Sequence, residues 1–145
     1  MILCAGLQSG GTTLISWCFL QRRDTDGILD MWGDRIELMP YIDASMGWCK
    51  MTVASFRWQE VADFYSDRGW AVKPLLVVRN PLVAYASLRR KGWSINGLTE
   101  EDTPYRIRYR RFLEDWEQFR SHGWPIIRFE SFVSEPEKAL RSVCE

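Results

Sequence analysis

Met1-Ile-Leu-Cys-Ala-Gly-Leu-Gln-Ser-Gly-Gly-Thr-Thr13 opens the chain, and its reading decides the fold. The apolar run Met1–Ala5 predicts a short strand that stops at a glycine-rich turn, Gly6 to Gly11. From Thr12 to about Arg23 a helix follows: Leu14, Trp17, Cys18 and Phe19 have partial helical spacing, and basic residues at its end complement the dipole. Such a turn between strand and helix gathers backbone N–H groups and the positive end of the dipole around an anion. Four residues separate Gly6 from Gly11, and two hydroxyl residues follow. This is the spacing of a phosphate-cradling loop, with Thr12 where such loops carry Lys. A tight turn without a ligand is the alternative, and the strand–turn–helix context favours the anion site.

Working outward, Asp24–Asp34 is polar and punctuated by glycine, which predicts a loop, and Arg35–Met39 a short strand closed by Pro40. Ser55–Arg68 reads as a helix with Phe56, Val61, Phe64 and Tyr65 on a broad face and Gly69 as its stop. Pro74-Leu-Leu-Val-Val78 is a continuous apolar run, the pattern of a strand buried on both faces. Asn80 and Pro81 supply an N-cap and a first-turn proline for a helix reaching Arg90. After a loop from Gly92 to Asp102, Thr103-Pro104 opens a long helix with Tyr105, Tyr109, Phe112, Leu113, Trp116 and Phe119 on its apolar side. Gly123–Phe129 is a further turn and strand, and Ser134 with Glu137 forms a capping-box pair for a last helix. Short apolar strands alternating with helices predict an α/β fold with a mainly parallel sheet. Residues 1–145 are expected to form one domain.

Composition narrows the function classes. Nineteen Lys and Arg balance nineteen Asp and Glu, which argues against bulk nucleic-acid or anionic-membrane binding while leaving room for a local basic pocket. Cys4, Cys18, Cys49 and Cys144 form no CxxC, and the single His122 does not pair with them at metal spacing, so no metal site is expected. The lack of a disulfide framework suits a reduced compartment. With no apolar run of about 20 residues and no signal-peptide pattern at the start, a soluble, cytoplasmic protein is expected.

A second element joins the first loop. Arg79 ends the Leu75–Val78 strand, at the carboxyl edge where open α/β sheets bind ligands, and Ser87 follows eight residues later. A guanidinium and a hydroxyl converging there hold a second phosphate. An Arg capping a sheet edge and a small packed Ser are the structural alternative. Taken together, Gly6-Leu-Gln-Ser-Gly-Gly-Thr-Thr-Leu14 resembles the 5′-phosphosulfate loop of sulfotransferases that use 3′-phosphoadenosine-5′-phosphosulfate (PAPS). Leu76-Val-Val-Arg-Asn-Pro81 through Ser87 resembles their 3′-phosphate element. Ile127-Arg-Phe-Glu-Ser-Phe-Val-Ser-Glu-Pro136 is similar to their later strand-and-helix segment, where an aromatic–acidic pair follows the strand.

The resemblance implies a three-layer, P-loop nucleotide-kinase-like α/β architecture and sulfuryl transfer from PAPS to a hydroxyl or amine acceptor, leaving PAP. That acceptor would be a small molecule, a glycan or a peptide, and no metal is required. It implies that Gly6, Gln8, Ser9, Gly10, Gly11, Thr12 and Thr13 cradle the 5′-phosphosulfate and that Arg79 and Ser87 hold the 3′-phosphate. Ser9 stands where the family usually carries Lys or Arg, the cation that stabilises the bridging oxygen, and Lys50 is the candidate to replace it. Asp34 and Glu37, near the predicted second strand, are the candidate general bases, with solvated acids as the alternative. His122 is rejected because it precedes a strand at its amino end. Trp93 is the first of several Trp to test as an adenine platform. The nucleotide-closing segment found near the C-terminus of many relatives is expected to be absent. A P-loop small-molecule kinase, disfavoured by Thr12, and a PAP- or PAPS-binding module without turnover are the alternatives.

Overall fold

A computed structural model describes residues 1–29, 46–52, 57–91 and 105–144, and among them are five strands and six helices. The strands are β1 (Ile2–Gly6), β2 (Thr25–Ile28), β3 (Met46–Thr52), β4 (Lys73–Val78) and β5 (Ile126–Arg128). The helices are α1 (Thr12–Leu20), α2 (Trp58–Ser66), α3 (Pro81–Arg90), α4 (Tyr105–His122), α5 (Phe129–Ser134) and α6 (Pro136–Cys144). All strand pairs are parallel, in the order β2-β3-β1-β4-β5. The hydrophobic run that opens the chain therefore becomes the central strand, and Leu3, Cys4 and Ala5 are fully buried.

Alternation along the strands divides the core into two layers, because successive side chains leave a strand on opposite faces. Leu3, Ala5, Cys49, Met51 and Leu76 pack with Trp58, Val61 and Tyr65 of α2 and with Phe112 and Phe119 of α4. Cys4, Trp48, Leu75, Val77 and Ile127 face the other way, against Ile15 and Phe19 of α1 and Phe132 of α5. Phe19 stacks on Trp48 with ring centroids 4.3 Å apart. Helices on both faces of a parallel sheet make a three-layer α/β protein, as the strand–helix alternation predicted. Among the described residues no helix is long and apolar enough to cross a membrane.

Several elements differ from their sequence reading. β2 lies in the stretch read as a loop. Among the described residues it is an edge strand paired with β3 alone, and Gly27 permits the pairing because a Cβ there would stand 1.9 Å from the Trp48 carbonyl oxygen. β3 was not foreseen, since Lys50 interrupts its apolar run; the predicted strand Arg35–Met39 lies outside the described residues. α1 ends at Leu20, so Arg22 and Arg23 do not cap it. Arg22 instead forks onto the Asp24 carboxylate at 3.0 and 2.8 Å. The chain after β5 folds as two helices rather than one. Ser134 is the last residue of α5 and returns its hydroxyl to the Glu130 and Ser131 carbonyls, so it does not cap α6, which begins at Pro136.

Other local signals hold. Gly69 has φ +86° just beyond α2, whose N-cap amide on Arg57 donates to Glu60 Oε2 at 2.8 Å. Asn80 Oδ1 accepts from the Leu82 and Val83 amides at the start of α3.

Candidate anion site

Gly6 ends β1 against a neighbour too close for any side chain: a Cβ would lie 2.6 Å from Thr12 Cγ2 and 2.9 Å from the Val77 carbonyl oxygen. The chain then reverses, and the Gly10 amide donates to the Leu7 carbonyl at 2.8 Å. Ser9 has φ 62° and Gly11 has φ 96°, so two left-handed residues flank Gly10. A Ser in that region costs roughly 1–2 kcal/mol, strain of the kind that collects at ligand-binding turns. Gly11 is the N-cap of α1 and offers no side-chain acceptor to its first turn, so the leading α1 amides keep no side-chain cap. The buried Ser9 Oγ has no hydrogen-bond partner among the described residues. Amides at a positive helix end, an orphaned hydroxyl and a reversed turn are the features of a candidate anion site.

Residues remote in sequence hold this loop. Arg79, at the carboxyl end of β4, donates Nη1 to the Ser9 carbonyl at 2.9 Å, and its guanidinium lies 4.6 Å from the Phe129 ring centroid. Its Nε is buried with no hydrogen-bond partner among the described residues. The same Phe129 ring packs over Gly11, where a Cβ would come within 2.0 Å of it. Glu130 accepts the Asn80 amide at 2.9 Å, which ties the start of α5 to the β4–α3 junction. The aromatic–acidic pair after β5 thus braces both halves of the site. From the other side, Arg108 of α4 donates Nη1 to Gln8 Oε1.

The structure places Gly6, Gln8, Ser9, Gly10, Gly11, Thr12 and Thr13 across the end of β1, the turn and the first residues of α1, and joins Arg79 to the turn. Ser87 lies within α3, with no direct hydrogen bond to Arg79 among the described residues. Because Pro81 starts α3, Ser87 sits roughly 9 Å along the helix axis from that start at 1.5 Å per residue. Lys50 is 2% exposed on β3, in register with Cys4. By alternation it shares the face of Trp48, beneath α1, two residues before the strand's carboxyl end. Asp34, Glu37 and Trp93 lie outside the described residues. His122 ends α4, about 21 Å along that helix from Arg108 by the same rise, and stacks on Trp124 at 4.4 Å.

Cys4 and Cys49 carry buried thiols. Burial pushes Cys4 and Cys49 up to about 12, far above the range in which a thiolate forms near neutral pH. Asp115 of α4, fully buried, is pushed up to about 6 by burial, which the Arg57 charge only partly offsets. Its Oδ1 accepts from Arg57 Nη2 at 3.1 Å.

From sequence the Arg106, Arg108, Arg110 and Arg111 cluster reads as a solvated helix face, with contact to an anionic acceptor or cofactor as the alternative, and the structure brings Arg108 to the loop. Its signal was periodicity: Arg108 falls on the stripe of Phe112, Asp115 and Phe119, and it is 6% exposed. No protein-family model matches this chain, and no curated protein sequence matches it. Fold and loop together define a three-layer α/β protein with a candidate anion site at the carboxyl ends of its sheet.

Proposed function

We propose that this chain binds PAPS and directs its sulfuryl group to a hydroxyl or amine acceptor, leaving PAP. The observation that carries the reading is the Gly6–Thr12 loop, with its two left-handed residues, orphaned Ser9 hydroxyl and Arg79 bound to the Ser9 carbonyl. Bound PAPS would supply an activated sulfur–oxygen bond. In this reading the α1 amides and the Thr12 and Thr13 hydroxyls orient the phosphosulfate, with Arg79 and Ser87 assigned to the 3′-phosphate. Lys50 stabilises the negative charge that develops on the bridging oxygen, and Asp34 or Glu37 accepts the acceptor's proton. The described residues fit such an anion because the loop offers donors and no carboxylate.

A second reading, a binding module without turnover, draws on Ser9 at the position where the family's loop cation would stand. Thermal unfolding of the chain with ligands tests both. PAP and PAPS are expected to raise the melting temperature more than ATP at equal concentration, since a ligand specific to the folded state stabilises it by mass action. Equal shifts with ATP, or none with PAP, remove the PAPS reading. Binding of PAP without transfer to any acceptor in a broad panel favours the module.

A further inference from the structure

We propose that Arg108 is an anion-binding cation of this site, pairing directly with phosphate or sulfate oxygens held by the Gly6–Thr12 loop. The inference rests on the anion-site part of the reading above and not on PAPS as the particular ligand. The first Lys or Arg in the sequence is Arg22, so the loop and the whole of α1 carry no side-chain cation of their own. Positive charge has to come from elsewhere in the fold. Two guanidinium groups arrive at consecutive loop residues: Arg79 at the Ser9 carbonyl and Arg108 at the Gln8 side chain.

Placement gives the second argument. Arg108 lies on the stripe of α4 that otherwise faces the core, and it is 6% exposed. Its bond to Gln8 spans 100 residues of sequence and ends beside Ser9, whose buried hydroxyl has no partner among the described residues. The Gln8 acceptor is a neutral amide oxygen. A phosphate or sulfate oxygen at the same loop is a stronger, charge-assisted acceptor for a planar fork of five N–H donors. Gln8 therefore holds the guanidinium where the anion takes it over.

Titration of the full chain with inorganic pyrophosphate, followed by calorimetry, tests this without assuming the nucleotide. Arg108→Gln is expected to weaken pyrophosphate binding about tenfold or more, the size of one lost charge-assisted contact. Arg108→Lys is expected to lose less, because the charge stays while the fork is lost. Gln8→Ala is expected to cost less than Arg108→Gln, because the anion and not Gln8 is the functional partner. Wild-type affinity in Arg108→Gln overturns the proposal, as does a wild-type chain that binds no pyrophosphate. A loss in Gln8→Ala as large as in Arg108→Gln also overturns it, since Arg108 would then act only by positioning the loop. If Arg108→Gln does not fold, the comparison of Gln8→Ala with Arg108→Lys decides: a larger loss in Gln8→Ala overturns the proposal. Arg108-dependent pyrophosphate binding in a chain that takes PAP no better than ATP supports the inference while removing the PAPS reading.

Discussion

Gly11→Ala probes the loop and its brace in one substitution. At φ 96° an alanine is strained, and its Cβ would stand 2.0 Å from Phe129 Cδ2, with two further ring atoms within 2.8 Å. The left-handed backbone accounts for roughly 1–2 kcal/mol and overpacking against the ring for roughly 1–3 kcal/mol. A loss of about 2–5 kcal/mol is expected, large against the total stability of a domain this size. The ring contact is separable. Phe129→Ala removes the obstacle but not the backbone strain, so the double variant should be more stable than the sum of the single losses predicts, by about 1–3 kcal/mol. Urea unfolding of the four proteins measures this, read from the midpoints at a shared slope. Strict additivity, or a Gly11→Ala loss within about 0.5 kcal/mol of zero, refutes the close packing of loop and ring.

Asp115 makes a pH prediction. Its folded value of about 6 lies above the ordinary unfolded aspartate near ~3.9, so its contribution is complete below that lower value and is lost as pH rises through the upper one. The stability of Asp115→Asn relative to wild type should therefore rise by about 2 kcal/mol between pH 4.5 and 7.5; a pH-independent difference, or one of opposite sign, means that the Arg57 pair outweighs burial. Lys50→Met, which keeps the buried volume of β3, should cut sulfuryl-transfer turnover by about 100-fold while PAP affinity moves less. Unchanged turnover assigns Lys50 a packing role.

Elements written in consecutive residues were legible from the chain alone. The Gly6–Gly11 turn, the Asn80 cap with Pro81, the buried run of β4 and the Gly69 stop each depend on local backbone preference. They place the loop and Arg79 at the same end of the sheet, because parallel strands have their carboxyl ends on one side. Two strands escaped for different reasons. β2 is a short polar edge whose pairing depends on the absence of a Gly27 side chain, and the pattern of β3 is broken by Lys50, which becomes buried only once α1 covers it.

The sequence by itself determined the α/β class, the opening strand and the glycine turn that ends it, since backbone sterics and hydrophobic periodicity act within a few residues. Only the tertiary structure decided what touches the loop. Phe129 over Gly11, Arg79 on the Ser9 carbonyl and Arg108 on Gln8 join segments 70 to more than 100 residues apart, through faces that exist only when the helices dock. Where the Arg79 guanidinium points was decided at the same level. A spacing of eight residues fixes a separation along the chain, whereas the direction of a guanidinium is set by the acceptors that packing brings within its reach.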